Sequence, residues 1–203
     1  MYTTLPTFIL GFHGCDLSVA NGVVSVQQQL LPSLNDYDWL GHGFYFWEND
    51  PVRAIDYAKM LQQYPARGKG KITKPAVLGA VIDLGHCLNL METTALGLLK
   101  ATYTTLCNSF NKADEELPAN SPGVSGDNDL LLRRLDCAVI ELLHEVNIQR
   151  SFDTVRGLFI EGEDLYPNAG FKTKNHIQVC VRNPNCIKGY FLPRSPDSHF
   201  PIP

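Results

Sequence analysis

The sequence predicts an α+β fold with a helical insertion between two β-rich parts. Short runs of β-branched and aromatic residues occupy the chain up to Gly85 and return after Val155, as is typical of strands. Between them, apolar residues recur at intervals of three and four, which is the spacing along one face of an α-helix. We place this helical insertion at about residues 90–150.

Length and composition favour one globular domain. The 203 residues fit a domain of ordinary size, and 44% hydrophobic with 19% charged residues is typical of a chain with a packed core. The net charge of −4 creates no overall positive field that would attract nucleic acid or membranes. We therefore expect a single domain over residues 1–203 that contains the insertion.

Membrane, metal and disulfide signals are missing from the sequence. No stretch approaches the ~18 consecutive apolar residues of a membrane span, and "MYTTLPTFILGFHG" lacks the basic start of a signal peptide. The six cysteines show no C-x-x-C pair and no zinc-like spacing with histidine. We expect reduced thiols in a cytoplasmic protein that holds no metal.

Three strands and one helix are predicted before the insertion. Asn49 and Asp50 precede Pro51, a pattern typical of an N-cap with proline in the first helical turn. We expect the helix to bury the apolar residues that follow at helical spacing: Val52, Ile55, Ala58 and Leu61. The predicted strands are "TFILGFH" (7–13), "GHGFYFW" (41–47) and "AVLGAVIDLG" (76–85).

Two longer helices and three strands are predicted after Gly85. Apolar stripes run from Leu96 through Leu99, Tyr103 and Leu106 to Phe110, and from Leu132 to Val146. We expect both stripes to be buried as the helices pack together on the sheet. The polar segment 111–129 between them is longer than most connections. The strands that follow are "RGLFIEG", "HIQVCV" and "IKGYFLP".

One stretch of the chain is locally basic. No Lys or Arg precedes Arg53, but five follow it closely: Lys59, Arg67, Lys69, Lys71 and Lys74. This run fits either a solvated loop or a patch that contacts phosphate groups.

Candidate site residues lie at strand ends. His13 is either a structural histidine or a ligand for a ribose hydroxyl, and Gly14 leaves its main-chain N–H and C=O open to an amide. Gly43 lets a planar ring approach Tyr45, whose own ring either stacks on that ligand or packs in the core. A later strand opens with His176-x-Gln178.

Together these pieces resemble the ADP-ribosyltransferase superfamily, in the poly(ADP-ribose) polymerase and diphtheria-toxin branch with its His–Tyr–Glu triad. In that branch an "H-G-[ST]" strand, a "G-x-G-[IF]-Y-[FL]" strand and a helix with "A-x-x-[YW]-[AC]" follow in order. The counterparts here are "FHGC", "LGHGFYFW" and "RAIDYA". The resemblance covers residues 8–59 and 159–192, implies a split β-sheet core, and gives the helical insertion no counterpart.

The resemblance implies a mono-ADP-ribosyltransferase whose substrate is NAD+. The enzyme would break the nicotinamide–ribose bond and transfer ADP-ribose to a macromolecule, either protein or nucleic acid, RNA included. His13 would hold a ribose, Gly14 the carboxamide and Tyr45 the nicotinamide ring, while the loop 166–175 would help to choose the acceptor. The chain is similar to small bacterial members, some of which are toxins of toxin–antitoxin or phage-defence systems, so an antitoxin is a further expected partner.

The sequence departs from the family at the catalytic glutamate, where it has Gln178. A neutral amide brings no negative charge to an oxocarbenium-like transition state, and losing a charge-assisted hydrogen bond costs about 1–3 kcal/mol. We therefore expect transfer of one unit rather than polymer synthesis. Glu161 and His176 are the alternatives for the missing role. An NAD glycohydrolase, and a non-catalytic module that binds NAD or ADP-ribose, are the alternatives for the function.

Three further residues are candidates. Asn35 would line the nicotinamide-ribose side, because the family places a variable loop before its second motif. Arg53 would pair with the pyrophosphate or form a surface ion pair with Glu48 or Asp50, which contributes little. His42, in the Gly-His-Gly turn, is a solvated turn residue or a cofactor contact.

Overall fold

The computed structural model describes residues 8–65, 70–123, 129–147 and 150–200, and these form an α+β fold. The described helices are α1 (Leu17–Val24), α2 (Pro51–Gln63), α3 (Thr93–Ala113) and α4 (Arg134–Val146). A seven-stranded sheet contains β1 (Phe8–Asp16), β2 (Phe44–Glu48), β3 (Pro75–Asp83), β4 (Cys87–Asn89), β7 (Thr154–Phe159), β8 (His176–Val181) and β9 (Ile187–Phe191). A small ladder joins β5 (Asn120–Ser121) to β6 (Leu132–Arg133).

The strand order of the large sheet is β4-β7-β8-β2-β1-β3-β9. The β4–β7 pair is parallel, and the other neighbouring strands are antiparallel. Strands from both β-rich parts of the sequence thus lie in one sheet. In this order β2 lies between β8 and β1, so the three strands that carry the motif residues are side by side.

Helices cover both faces of the sheet. On one face, here called the α1 face, Phe46 and Val179 pack in a core with residues of α1. On the other, here called the α2 face, Trp47 packs against Ala54 of α2, and Cys180 packs against Ile140 of α4. Side chains alternate along a strand, so Tyr45 and Trp47 of β2 share the α2 face.

The strands predicted before the insertion, and the helix that begins at Pro51, are confirmed. Asp50 caps α2, because its side chain accepts a hydrogen bond of 2.9 Å from the main-chain N–H of Arg53. The predicted burial of Val52 is wrong: its side chain is 65% exposed, and Ala54 is fully buried instead. The helix lies so close to β1 that only small side chains fit between them.

The two helices of the insertion are confirmed and pack against each other, but their buried faces differ from the predicted stripes. Leu96 and Tyr103 of α3 are 49% and 41% exposed, whereas Thr102 is buried. Leu106 is buried and Leu99 packs against the core, as predicted. Thr102 joins them because its hydroxyl avoids an unmet bond by donating to Leu98 O at 3.0 Å. On α4, Val146 is 60% exposed, so its predicted burial is also wrong.

The basic stretch and the cysteines can be compared with the expectations from the sequence. Arg67 and Lys69 of the basic stretch lie outside the described residues, whereas Lys74 joins the end of β1 through main-chain bonds. All six cysteines are free thiols. Within the described ranges, no helix is long and apolar enough to cross a membrane.

Candidate functional site

His176 is the centre of a buried polar cluster on the α2 face. It opens β8, and Gln178, two residues later, lies opposite Trp47 of β2. The His176 ring is fully buried among three aromatic rings, with centroid distances of 6.3 Å to Trp39, 6.3 Å to Trp47 and 5.7 Å to Phe159. Such a surrounding excludes water and strengthens the interactions of any charge placed there.

Glu161 brings a carboxylate to this ring from the end of β7. Its Oε2 lies 3.5 Å from His176 Nδ1 and 3.3 Å from Nη2 of Arg53, in the first turn of α2. Burial raises the pKa of the Glu161 carboxyl, and the Arg53 guanidinium opposes that shift. We name Arg53, Glu161, His176 and Gln178 the His176 cluster.

The tautomer of His176 follows from its two neighbours. Nδ1 lies 2.7 Å from the main-chain oxygen of Lys174, which can only accept, so Nδ1 carries the hydrogen. Nε2 lies 3.0 Å from the side-chain nitrogen of Gln178. Burial lowers the pKa of His176, although the bond to Lys174 raises it, so the ring is neutral at neutral pH.

Two buried donors, one on Arg53 of the cluster and one on the neighbouring Trp47, are unsatisfied. Among the described residues, Trp47 Nε1 and Arg53 Nε have no hydrogen-bond partner. His144 Nε2, elsewhere in the fold, has none either. Buried N–H groups are nearly always paired, so these two invite the oxygen of a ligand or of water. Arg133 adds a guanidinium that lies 4.4 Å from the centre of the Trp39 ring.

Tyr45 is half-buried, and its ring packs against the core formed with Leu40 and Cys180. Its hydroxyl donates to Gly41 O at 2.6 Å and accepts from Leu40 N at 2.8 Å. Burial holds the pKa of Tyr45 well above its usual value. Of the two interpretations of Tyr45, the structure shows the packing of its ring in the core. Stacking of the ring on a ligand stays a prediction.

His13 lies away from the His176 cluster. Its Nδ1 lies 2.9 Å from the main-chain oxygen of Tyr45, and its ring lies 6.0 Å from Phe46 on the α1 face. Burial lowers the pKa of His13, and the hydrogen bond to the Tyr45 main chain opposes this shift in part. The structure thus links His13 to the β2 backbone, and does not bring its side chain together with Gln178.

Gly14 and Gly43 are both required by close packing. A Cβ on Gly14 would lie 2.0 Å from the main-chain oxygen of Ala54, so α2 covers this glycine. A Cβ on Gly43 would lie 2.6 Å from Cys180 Sγ, and this glycine has a φ of +155°. Chain packing thus accounts for both residues without a ligand.

Asn35 and His42 shape the chain before β2. The Asn35 amide donates to Ser33 Oγ at 2.9 Å and to Asp38 Oδ1 at 3.1 Å. The main-chain N–H of His42 donates to Glu141 at 2.7 Å. Burial raises the pKa of Glu141, but the bonds from Arg182 and His42 lower it below its usual range. In this structure both residues stabilise their turns.

Sequence reasoning missed two residues of this region and underused a third. Strand alternation alone puts Trp47 on the same face as Tyr45, and in the structure Trp47 lies on that face. Trp39 and Arg133 come from a loop and from β6, and no local pattern links them to His176. Only the folded chain brings them together.

Other features of the surface lie apart from the cluster. Two depressions of about 180 and 350 Å³ are lined by α3 with β4, and by α4 with the chain before β2. In the part of the chain that the structure describes, no three His, Cys, Asp or Glu side chains are grouped to hold a metal ion.

Comparison with known proteins gives one distant relative. The chain is 26% identical over 198 residues to an uncharacterized protein of Methanocaldococcus jannaschii, across 87% of this chain and 83% of that protein. No protein-family model matches the chain. No solved structure matches it at a significant level. The likeness to the relative therefore extends over most of both chains.

Proposed function

We propose that this protein is a mono-ADP-ribosyltransferase that cleaves NAD+ and transfers ADP-ribose to a macromolecule. The observation that carries the proposal is the strand order β8-β2-β1, since it sets three motif strands from distant parts of the sequence side by side. The His176 cluster lies on the same face as Tyr45 and Trp47, next to two unsatisfied buried donors. The resemblance implied a split sheet, whereas seven of the described strands form one sheet, and we propose that this sheet is the counterpart of the ADP-ribosyltransferase core.

The proposed reaction replaces one bond at the ribose C1″ atom. The bond from C1″ to the nicotinamide nitrogen breaks, and neutral nicotinamide leaves with the electron pair. An acceptor nucleophile then attaches to C1″ of the oxocarbenium-like ribose and gives up its proton. A carboxylate near C1″ stabilises the cation, and Glu161 is the carboxylate that the cluster offers.

Glu161 and Gln178 would divide the role of the missing glutamate. Both contacts of Glu161 to Arg53 and His176 use Oε2, so Oε1 is the oxygen that would face the ribose. Gln178, at the family's glutamate position, would accept a hydrogen bond from a ribose hydroxyl without supplying charge. The positive charge of Arg53 favours the ionised form of Glu161, against the effect of burial.

The proposal gives Trp47 and Arg53 a larger part than the resemblance implies. The Tyr45 hydroxyl is already bonded at both sides, and His13 contacts the Tyr45 main chain. We therefore propose that Trp47 Nε1 and Arg53 Nε donate to ligand oxygens. His13 would act indirectly, by holding β2 in place.

The acceptor is proposed to dock beside the hairpin that follows Glu161. Main-chain bonds from Lys174 to Glu161 and from Leu165 to Phe171 close this hairpin. Its Leu165, Tyr166 and Phe171 side chains are exposed. Protein and nucleic acid both remain proposed acceptors, and in a toxin an antitoxin would bind over this region.

Labelled NAD+ incubated with the protein and a cell lysate tests the proposal. Label in protein, or in material that nuclease digests, supports transfer to that class of acceptor. Free ADP-ribose as the sole product would identify a glycohydrolase, and calorimetric NAD+ binding without turnover would identify a non-catalytic module. Absence of both binding and turnover would reject the family assignment.

A further inference from the structure

We infer that His176 is a positioning residue that fixes the side-chain amide of Gln178, so that Gln178 Oε1 rather than its NH₂ group faces the ligand. The inference rests on the proposed function only for the identity of that ligand, a ribose hydroxyl. The orientation of the amide is a property of the free protein. It can therefore be tested without NAD+.

The main-chain oxygen of Lys174 fixes the tautomer of His176. Lys174 O, 2.7 Å from Nδ1, has lone pairs but no hydrogen, so Nδ1 must donate. In a neutral imidazole the other nitrogen, Nε2, then carries a lone pair and accepts. The group of Gln178 that lies 3.0 Å from Nε2 must be its NH₂. The opposite orientation would set two acceptors against each other.

The consequence is an acceptor at the position where the family has a carboxylate. With the NH₂ group held by His176, the carbonyl oxygen of Gln178 projects from the other side of the amide. Gln178 lies opposite Trp47 on β2, whose indole N–H is an unsatisfied donor. An acceptor and a donor on adjacent strands are what a ribose hydroxyl requires, because a hydroxyl both donates and accepts.

Protonation of His176 would reverse this arrangement. With hydrogens on both ring nitrogens, Nε2 donates, and the Gln178 amide has to rotate and present Oε1 to it. Glu161 at 3.5 Å and Asp50 favour the proton, whereas Arg53, Arg133 and burial disfavour it. The neutral form dominates at neutral pH, so the reversal belongs to acidic solution.

Nuclear magnetic resonance of the full-length protein, with ¹⁵N-labelled histidine and glutamine, tests the orientation directly. We expect the Nδ1–H tautomer for His176 at pH 7.5. The Gln178 amide resonances should shift on acidification with a midpoint below about 6.5, the ordinary histidine pKa. An Nε2–H tautomer at pH 7.5, or Gln178 resonances that do not follow the His176 titration, would overturn the inference whatever the protein does with NAD+.

Two variants test the effect on ligand binding. His176→Phe keeps the aromatic packing but removes the acceptor, and we expect NAD+ affinity to fall about tenfold. His176→Gln places an acceptor near the former Nε2 that does not titrate, so affinity should recover and lose the part of its pH dependence that follows the His176 titration. His86→Phe is the control, because His86 also bonds a main-chain oxygen through Nδ1, that of Ser151 at 3.1 Å, outside the cluster.

The outcomes separate the two proposals. The expected tautomer in a protein that fails to bind NAD+ would reject the proposed function and leave the amide assignment standing. If His176→Phe binds NAD+ as tightly as the parent protein, or if His86→Phe weakens binding equally, the positioning role is wrong. In either case the NAD+ turnover assay still reports on the proposed function separately.

Discussion

The Glu161 carboxylate lies 3.3 Å from the Arg53 guanidinium, across a separation of 108 residues in the sequence. This ion pair joins the first turn of α2 to the end of β7. It is mostly buried, and His176 lies against the same carboxylate oxygen. Removing one partner of a buried pair leaves an uncompensated charge, which destabilises the fold. A substitution that keeps the shape of the side chain therefore distinguishes an effect on catalysis from an effect on stability best.

Glu161→Gln keeps that shape and removes the negative charge. If Glu161 stabilises the oxocarbenium-like transition state, kcat for NAD+ consumption should fall about 10- to 100-fold, equivalent to roughly 1.4–2.8 kcal/mol. NAD+ affinity, measured by calorimetry, should change much less. Glu163→Gln, two residues away and exposed, is the matched control and should keep parental activity. Equal activity of Glu161→Gln and the parent protein would contradict the assignment.

The two tryptophans of the chain, Trp39 and Trp47, both lie 6.3 Å from the His176 ring, so intrinsic fluorescence reports on this cluster. NAD+ bound there should change the emission of both residues. Titrations of Trp39→Phe and Trp47→Phe isolate each signal, and a titration of free tryptophan corrects for absorption by the nucleotide. An unchanged corrected emission in both variants would place NAD+ elsewhere or nowhere on the protein.

The sequence predicted the elements of the fold better than their contacts. The strands and α2 were found because alternation, apolar runs and the Asp50–Pro51 cap are local signals. The predicted buried face of α3 was right at Leu106 but wrong at Leu96 and Tyr103. Thr102 is buried because its hydroxyl bonds to Leu98 O, and nothing in the sequence marks that bond. An apolar stripe therefore marks the buried face of a helix only approximately.

For the candidate site, too, the residues could be named from the sequence but their contacts could not. Glu161, His176, Gln178 and Arg53 were all named from their motifs, but their mutual contacts depend on the pairing of β7 with β8 and on the path of α2. The bonds of the Tyr45 hydroxyl depend on how the Gly41 turn folds back over β2. Motif order therefore supplied the candidate residues, and only the tertiary structure showed which of their side chains meet.

Gly14→Ala should destabilise the fold by forcing α2 away from β1. The added Cβ would lie 2.0 Å from the Ala54 main-chain oxygen, which is not a flexible side chain that can move aside. Overpacking of this kind costs about 1–3 kcal/mol. Urea unfolding measures the loss. Gly189→Ala on β9 is the control, because no atom lies within 4 Å of its added Cβ; equal stability of the two variants would disprove the contact.

Tyr45→Phe should destabilise the protein while keeping the ring in place. The hydroxyl accepts from Leu40 N and donates to Gly41 O, and Leu40 is fully buried. Leaving that N–H without a partner costs about 1–3 kcal/mol, which the urea midpoint will show. Tyr166→Phe, at an exposed tyrosine, should leave the urea midpoint at the parental value. An unchanged midpoint in Tyr45→Phe would contradict the two bonds of the hydroxyl, and a parental NAD+ affinity would exclude the hydroxyl as a ligand contact.

Asp16 should make the stability of the fold depend on pH in acidic solution. Its carboxylate caps α1 and accepts five hydrogen bonds, from the main chain and hydroxyl of Ser18 and Thr73 and from Lys74 N. The bonds from Lys74, Ser18 and Thr73 hold the pKa of Asp16 far below its usual value. Because the folded-state pKa is depressed, the stabilisation is complete above the unfolded pKa of about 3.9 and is lost as pH falls below it.

Asp16→Asn tests this relationship through the free energy of unfolding in urea between pH 7 and pH 2.5. At pH 7 the variant should be less stable than the parent by about 0.5–2 kcal/mol, the range for loss of an N-cap. The difference should shrink below about pH 4, because Asp16 then takes up a proton in the unfolded parent chain, whereas the folded carboxylate, whose pKa is depressed, resists it. Asp56→Asn on the exposed side of α2, where the carboxylate lies 4.0 Å from Lys59, should leave the pH dependence as in the parent. A constant difference between parent and Asp16→Asn down to pH 2.5 would mean that the carboxylate contributes through its shape alone, and that its charge does not hold the 73–74 segment to β1.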